Sequence, residues 1–119
     1  MGDVTTTDLR IESKATEYTV TAAGLPEDDL DAAAFTITVA YRGHGLWAVL
    51  RRRWCLGADG EWEFEPIPSE RTAAWLAAHR FDLDTALRLA AAEVPHLRTN
   101  GRTVHDAIAD AARRQQAGC

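Results

Sequence analysis

The sequence predicts an α+β fold: an antiparallel β-meander of three to five strands, followed by two or three C-terminal helices packed on one face. Three observations carry that prediction. Up to residue 65, apolar residues recur at every second position, the period of a half-buried strand. Beyond Pro66 and Pro68 the period lengthens to about 3.6 residues, that of an amphipathic helix. Turn-forming residues at Gly43–Gly45, Asp59-Gly60 and Asn100-Gly101 separate the periodic segments and suit tight connections between neighbouring strands or elements.

The elements follow in order. Leu9 to Ile11 and Glu17 to Ala22 alternate and are rich in β-branched residues, which predicts one long strand or two short ones. Gly24, Pro26 and the acidic group Glu27 to Asp29 break the alternation. Asp29 or Asp31 is placed to cap a helical turn through Ala34. Phe35 to Tyr41 is the clearest strand, with Phe35, Ile37, Val39 and Tyr41 on one face. Gly43-His44-Gly45 closes a hairpin, and Leu46 to Leu50 returns. Arg51, Arg52 and Arg53 interrupt this strand or lie along an exposed edge, and Trp54 to Leu56 resumes it. After the Asp59-Gly60 hairpin, Glu61 to Glu65 alternates strictly. Trp62 and Phe64 take one face and the three glutamates the other.

Ser69 is a candidate N-cap for a first helix reaching about His79 and packing through Ala73, Trp75 and Leu76. Asp82 or Asp84 caps a second, whose stripe is Leu83, Leu87, Ala90, Ala91 and Val94. Pro95 stops it. Thr103 and Asp106 form a capping box with Asp in place of Glu, opening a third helix with Val104, Ile108, Ala111 and Ala112 inward. Residues 113–119 read as a polar tail. The helices would cover Phe35, Ile37, Val39, Tyr41, Trp62 and Phe64. The whole of 1–119 reads as one domain with flexible ends at 1–7 and 114–119.

Composition bounds the function. The chain has 119 residues, 46% of them apolar, and a net charge of −5. Residues 1–66 hold twelve acidic and six basic side chains, whereas 67–119 hold six and seven. Such a balance lacks both the basic field of a general nucleic-acid binder and the dense negative field of a DNA mimic. Two cysteines are too few for a disulfide framework. The polar, acidic start is unlike a signal peptide, and no apolar run approaches membrane-span length. A cytoplasmic protein with reduced thiols is expected.

The search for chemistry is mostly negative. The histidines, His44, His79, His96 and His105, form no ligand spacing, so neither a metal nor a cofactor is expected. Cys55, between Trp54 and Leu56, suits a buried inert thiol, and Cys119 is terminal. No nucleophile elbow, P-loop or dinucleotide fingerprint is present. Arg51, Arg52 and Arg53 between Trp47 and Trp54 are the exception. Arginines beside aromatics are the composition of a single-stranded nucleic-acid surface and equally of a protein-binding one. The plain alternative is a solvated face paired with Glu61, Glu63 and Glu65 across the hairpin. Trp47 and Trp54 are seven apart, so a regular strand puts them on opposite faces, unless a bulge at 51–53 restores the register.

The stretch from Trp54 to Pro66 (WCLGADGEWEFEP), with Arg80 to Leu89 (RFDLDTALRL), resembles small proteins common in GC-rich actinobacteria and their phages. That group has no assigned activity, so the resemblance implies a bacterial or phage cytoplasmic setting and carries over no catalytic residue. The expectation is a non-enzymatic protein-binding or regulatory domain. Its surface would be Trp47, Arg51, Arg52, Arg53 and Trp54, or the acidic loop at Glu27 to Asp31. A nucleic-acid-associated regulator and a small enzyme of unrecognised type are the alternatives, and an edge strand could build a homodimer.

Overall fold

A computed structural model describes residues 9–117. Five strands form one antiparallel sheet in chain order: β1 (Glu17–Val20), β2 (Ile37–Tyr41), β3 (Trp47–Arg51), β4 (Trp54–Leu56) and β5 (Trp62–Phe64). Three helices follow: α1 (Ala73–His79), α2 (Leu83–Glu93) and α3 (Val104–Ala117). Between the last two lies a small ribbon of β6 (Arg98–Thr99) and β7 (Arg102–Thr103). The α+β meander expected from the periodicity is the fold.

Strand register decides which side chains share a face. Val39 lies opposite Tyr18 and Val49, and Tyr41 opposite Trp47. Phe35, Ile37, Val39, Val49 and Leu56 are buried on this side with Ala86 and Ala90 of α2. Ala86 and Ala90 are four apart, so they share one helix stripe, and their small side chains let the helix lie close on the strands. Val104 and Ala107 of α3 join the same core.

The predicted caps mostly form. Asp82 accepts a 2.8 Å hydrogen bond from the Thr85 amide at the start of α2. Thr103 and Asp106 exchange reciprocal bonds of 2.9 and 3.1 Å at the start of α3. Asn100 and Gly101 both adopt positive φ at the β6–β7 turn, the conformation a two-residue hairpin demands.

Four expectations are corrected. Leu9 to Ile11 is exposed and belongs to no strand. Asp31 heads a 3-10 turn, Ala32–Phe35, without a side-chain cap: its carboxylate accepts from Arg102, and Asp29 accepts from the Asp31 amide. Ser69 lies in another 3-10 turn, Pro68–Glu70, and Thr72 is the true N-cap of α1, accepting from the Trp75 amide at 3.0 Å. Residues 113–117, read as tail, continue α3. The expected flexible start at 1–7, and Cys119, lie outside the described residues.

The connection from α1 to α2 passes through the sheet plane. Where β4 ends, Phe81 takes its place beside Trp47, with the two amides donating to the opposite carbonyls at 3.0 and 2.7 Å. His79 and Arg80, just before it, touch Glu63 and Glu65 on one side of the sheet. The helix α2, just after it, covers the other side.

Candidate binding surfaces

The arginine run turns out to be a hairpin. Arg51 pairs with Trp54, so Arg52 and Arg53 form a two-residue loop, with Arg52 at φ 57°. This settles the parity of the tryptophans. Trp47 and Trp54 lie in different strands on the same, helix-covered side, so no bulge is needed, and neither lies on the opposite face. Their surroundings differ. Trp47 is 7% exposed and packs against Tyr18 and Tyr41 with ring centroids 5.6 and 5.1 Å apart. Trp54 is 49% exposed.

Arg51 also leaves the expected surface. Its Nε and Nη2 donate to the Ala34 carbonyl at 3.1 and 2.8 Å, and Nη2 donates to the Arg98 carbonyl at 3.0 Å. It ties the 3-10 turn and β6 to the sheet. Of the five residues predicted to form a contact surface, Arg52, Arg53 and Trp54 remain exposed.

Phe64 joins them. It was expected in the core, but α2 covers the middle strands and stops short of the β4–β5 end. Phe64 is 55% exposed and meets Trp54 edge-to-face, with centroids 5.7 Å apart. Tyr41, likewise expected inside, is exposed at the opposite end of the hairpin. Trp62 does pack on the core and donates from Nε1 to Glu93 at 3.2 Å. A cleft of about 320 Å³ lies among Arg51, Trp54 and Trp62.

The opposite side of the sheet carries the charge. Glu63 and Glu65 were expected to pair with the arginines of 51–53, but other residues take them. Glu65 is held by Arg42 Nη2 at 3.1 Å, Arg80 Nη2 at 3.1 Å and Arg71 Nη2 at 3.7 Å. Arg71 is itself steered by a 2.8 Å bond from Nε to the Pro66 carbonyl. Burial opposes the charge on Glu65, but the three guanidiniums outweigh it and hold the carboxyl below its ordinary range. Arg80 lies over the Trp75 ring, 5.3 Å from its centroid, and Trp75 stacks on His79 at 4.1 Å. His79 is buried; its Nδ1–H donates to the Trp75 carbonyl at 2.7 Å. Its Nε2 lies 2.7 Å from Glu63 Oε2, within ion-pair range but off the line of a hydrogen bond.

Cys55 faces this cluster and is fully buried. Burial first, then the charge of Glu65, pushes its thiol up to about 11, so it is protonated at neutral pH and a poor nucleophile.

The acidic loop is also engaged. Arg102 grips Asp29 with two bonds of 2.8 and 3.1 Å, Asp31 at 3.0 Å and Asp110 at 2.9 Å. Asp110 also meets Arg113. Asp29 and Asp31 therefore join the loop to β7 and α3, leaving Glu27 and Asp28 exposed. Sequence reasoning could not find Glu65, Arg42, Arg71, Arg80 or Arg102 as partners, since the residues that meet lie up to 73 positions apart. No family model, curated protein or solved structure matches the chain, and no helix among the described residues is long and apolar enough to cross a membrane.

Proposed function

We propose that the chain is a small protein-binding domain of bacterial or phage cytoplasm, and that its contact surface is the exposed β4–β5 end of the sheet. The observation that carries this reading is the Trp54–Phe64 pair. Two aromatic rings are packed on each other, half open to solvent, at a place the helices do not reach. Ile67, three residues past Phe64, is also exposed. Large aromatics with a polar rim are what protein interfaces use as energetic centres. Arg52 and Arg53 at the adjoining hairpin supply a basic rim, so the partner surface would offer an apolar pocket bordered by carboxylates.

Arginine beside an exposed tryptophan also suits single-stranded nucleic acid. The net charge of −5 weighs against it.

The test places a photo-crosslinking amino acid at position 54 and, as control, at position 88 on the exposed face of α2. Crosslinks specific to position 54 that disappear in Phe64→Ala support the surface. Equal capture from both positions removes it. A gel shift at low salt that retains single-stranded probes and weakens steeply with salt would favour the nucleic-acid reading instead.

A further inference from the structure

The cleft between the Gly43–Gly45 hairpin and α1 plays no part in the interaction surface. We propose that it is a binding site for a small organic oxyanion, a carboxylate or a phosphate monoester, carried on a compact apolar body.

The charge argument comes first. Arg42, Arg71 and Arg80 converge on the single carboxylate of Glu65, so guanidiniums outnumber the carboxylate they hold by three to one in a chain that is acidic overall. Glu63, the nearby acid, is turned to His79. Arg42 and Arg80 both line the cleft. Arg42 spends Nη2 on Glu65; among the described residues nothing accepts from its Nε or Nη1. Arg42 lines a cavity of about 390 Å³, near the lower end of the range for small-molecule sites.

The site is held in place before a ligand arrives. The Arg80 side chain is 5% exposed, lies on Trp75, and bonds the His79 carbonyl at 3.0 Å and Glu65. Glu65 in turn fixes Arg42. Guanidinium groups bind carboxylate and phosphate oxygens with charge-assisted hydrogen bonds, and a preorganised donor loses less entropy on binding. Leu46, Leu76 and Ala77 supply an apolar part of the wall. Leu46 and Leu76 are both among the exposed large hydrophobics, and a ligand with an apolar body would cover them. Gly43 and His44, both at positive φ, complete the lining.

The experiment is an amide-detected NMR titration of the full chain with hexanoate, phenyl phosphate, hexanamide and inorganic phosphate. Hexanoate or phenyl phosphate should move the amides of Gly43 to Leu46 and Leu76 to Arg80 saturably, with a dissociation constant on the order of 1 mM. Saturation by hexanoate alone assigns a carboxylate, and by phenyl phosphate alone a phosphate ester. Arg42→Gln should weaken binding at least tenfold, while Arg88→Gln, on the exposed face of α2, should not. An unchanged spectrum away from the cleft shows that Arg42→Gln is folded. No saturable shift up to about 20 mM of either anion would overturn the proposal. So would equal binding of hexanamide, because charge would then be irrelevant. Equal binding of inorganic phosphate would do the same, since the leucine wall would contribute nothing. Trp54→Ala should leave the titration unchanged, so this site and the aromatic surface succeed or fail separately.

Discussion

Two charge clusters in this molecule are inversions of each other. In one, a single arginine, Arg102, is held by three aspartates; in the other, a single glutamate, Glu65, is held by three arginines. The first is closed. Nε, Nη1 and Nη2 of Arg102 are all engaged, and the bonds fasten a loop near residue 30 to β7 and α3. The second is open. Its arginines come from the end of β2, the segment before α1 and the end of α1, and Arg42, which spends only Nη2 on Glu65 among the described residues, lines a cleft. One cluster spends its charge on holding segments together; the other retains a surplus at the surface.

The largest expected effect breaks the closed cluster. Arg102→Ala leaves the buried Asp29 carboxylate beside Asp31 and Asp110 with no counter-charge. The thermal midpoint should fall by roughly 10 °C, and Arg102→Lys should recover little because it lacks the fork. Next in size is Glu65→Gln. Three guanidiniums then repel one another, but Arg42 can swing into solvent, so a loss of about 5 °C is expected. A midpoint unchanged in either variant, followed by circular dichroism, would deny that cluster its structural role. The smallest is Arg42→Gln, with a shift within about 2 °C, which makes it the suitable probe of the cleft.

Acid separates the clusters in another way. Asp29 is held down chiefly by its hydrogen bonds from Arg102, and Glu65 by its arginines against the opposing effect of burial. Both lie below their ordinary values of 3.8 and 4.5. A depressed carboxyl stabilises the fold fully above its unfolded value and loses that contribution as pH falls through the folded one. Stability should therefore decline from about pH 4.5 downward. Glu65→Gln should flatten the upper part of that decline, and Arg102→Ala the lower part. An identical pH slope in the wild type and both variants would contradict the assignment.

What the sequence revealed was local. The alternation of β2, the Asp59-Gly60 turn, the Asp82 cap and the Thr103–Asp106 box each depend on residues within a few positions of one another, and each appeared where expected. The hairpin at Arg52-Arg53 escaped because its left-handed residue is an arginine, where glycine or asparagine would have announced it. Without that hairpin, a continuous strand puts Trp47 and Trp54 on opposite faces unless a bulge at 51–53 restores the register. Ser69 and Thr72 are both acceptable caps by type, and only the 3-10 turn at Pro68 decided between them. The partners of Glu65 were illegible for a different reason. Nothing in the alternation of Glu61, Glu63 and Glu65 says that the last would face Arg42, Arg71 and Arg80 when Arg51 to Arg53 are nearer in sequence. Phe64 was misjudged because periodicity assigns a face but not how far a helix extends over it.

The crossing at Phe81 has a consequence for how the molecule opens. Trp47 and Phe81 bond to each other at the one point where the chain leaves the arginine side and enters the helix-covered side. Pulling α1 and α2 apart therefore loads this pair of bonds directly. In hydrogen exchange the two amides should thus behave as members of the slowest class, despite lying at a strand end, where fraying is the rule. They should be released together, in the same event that frees α2.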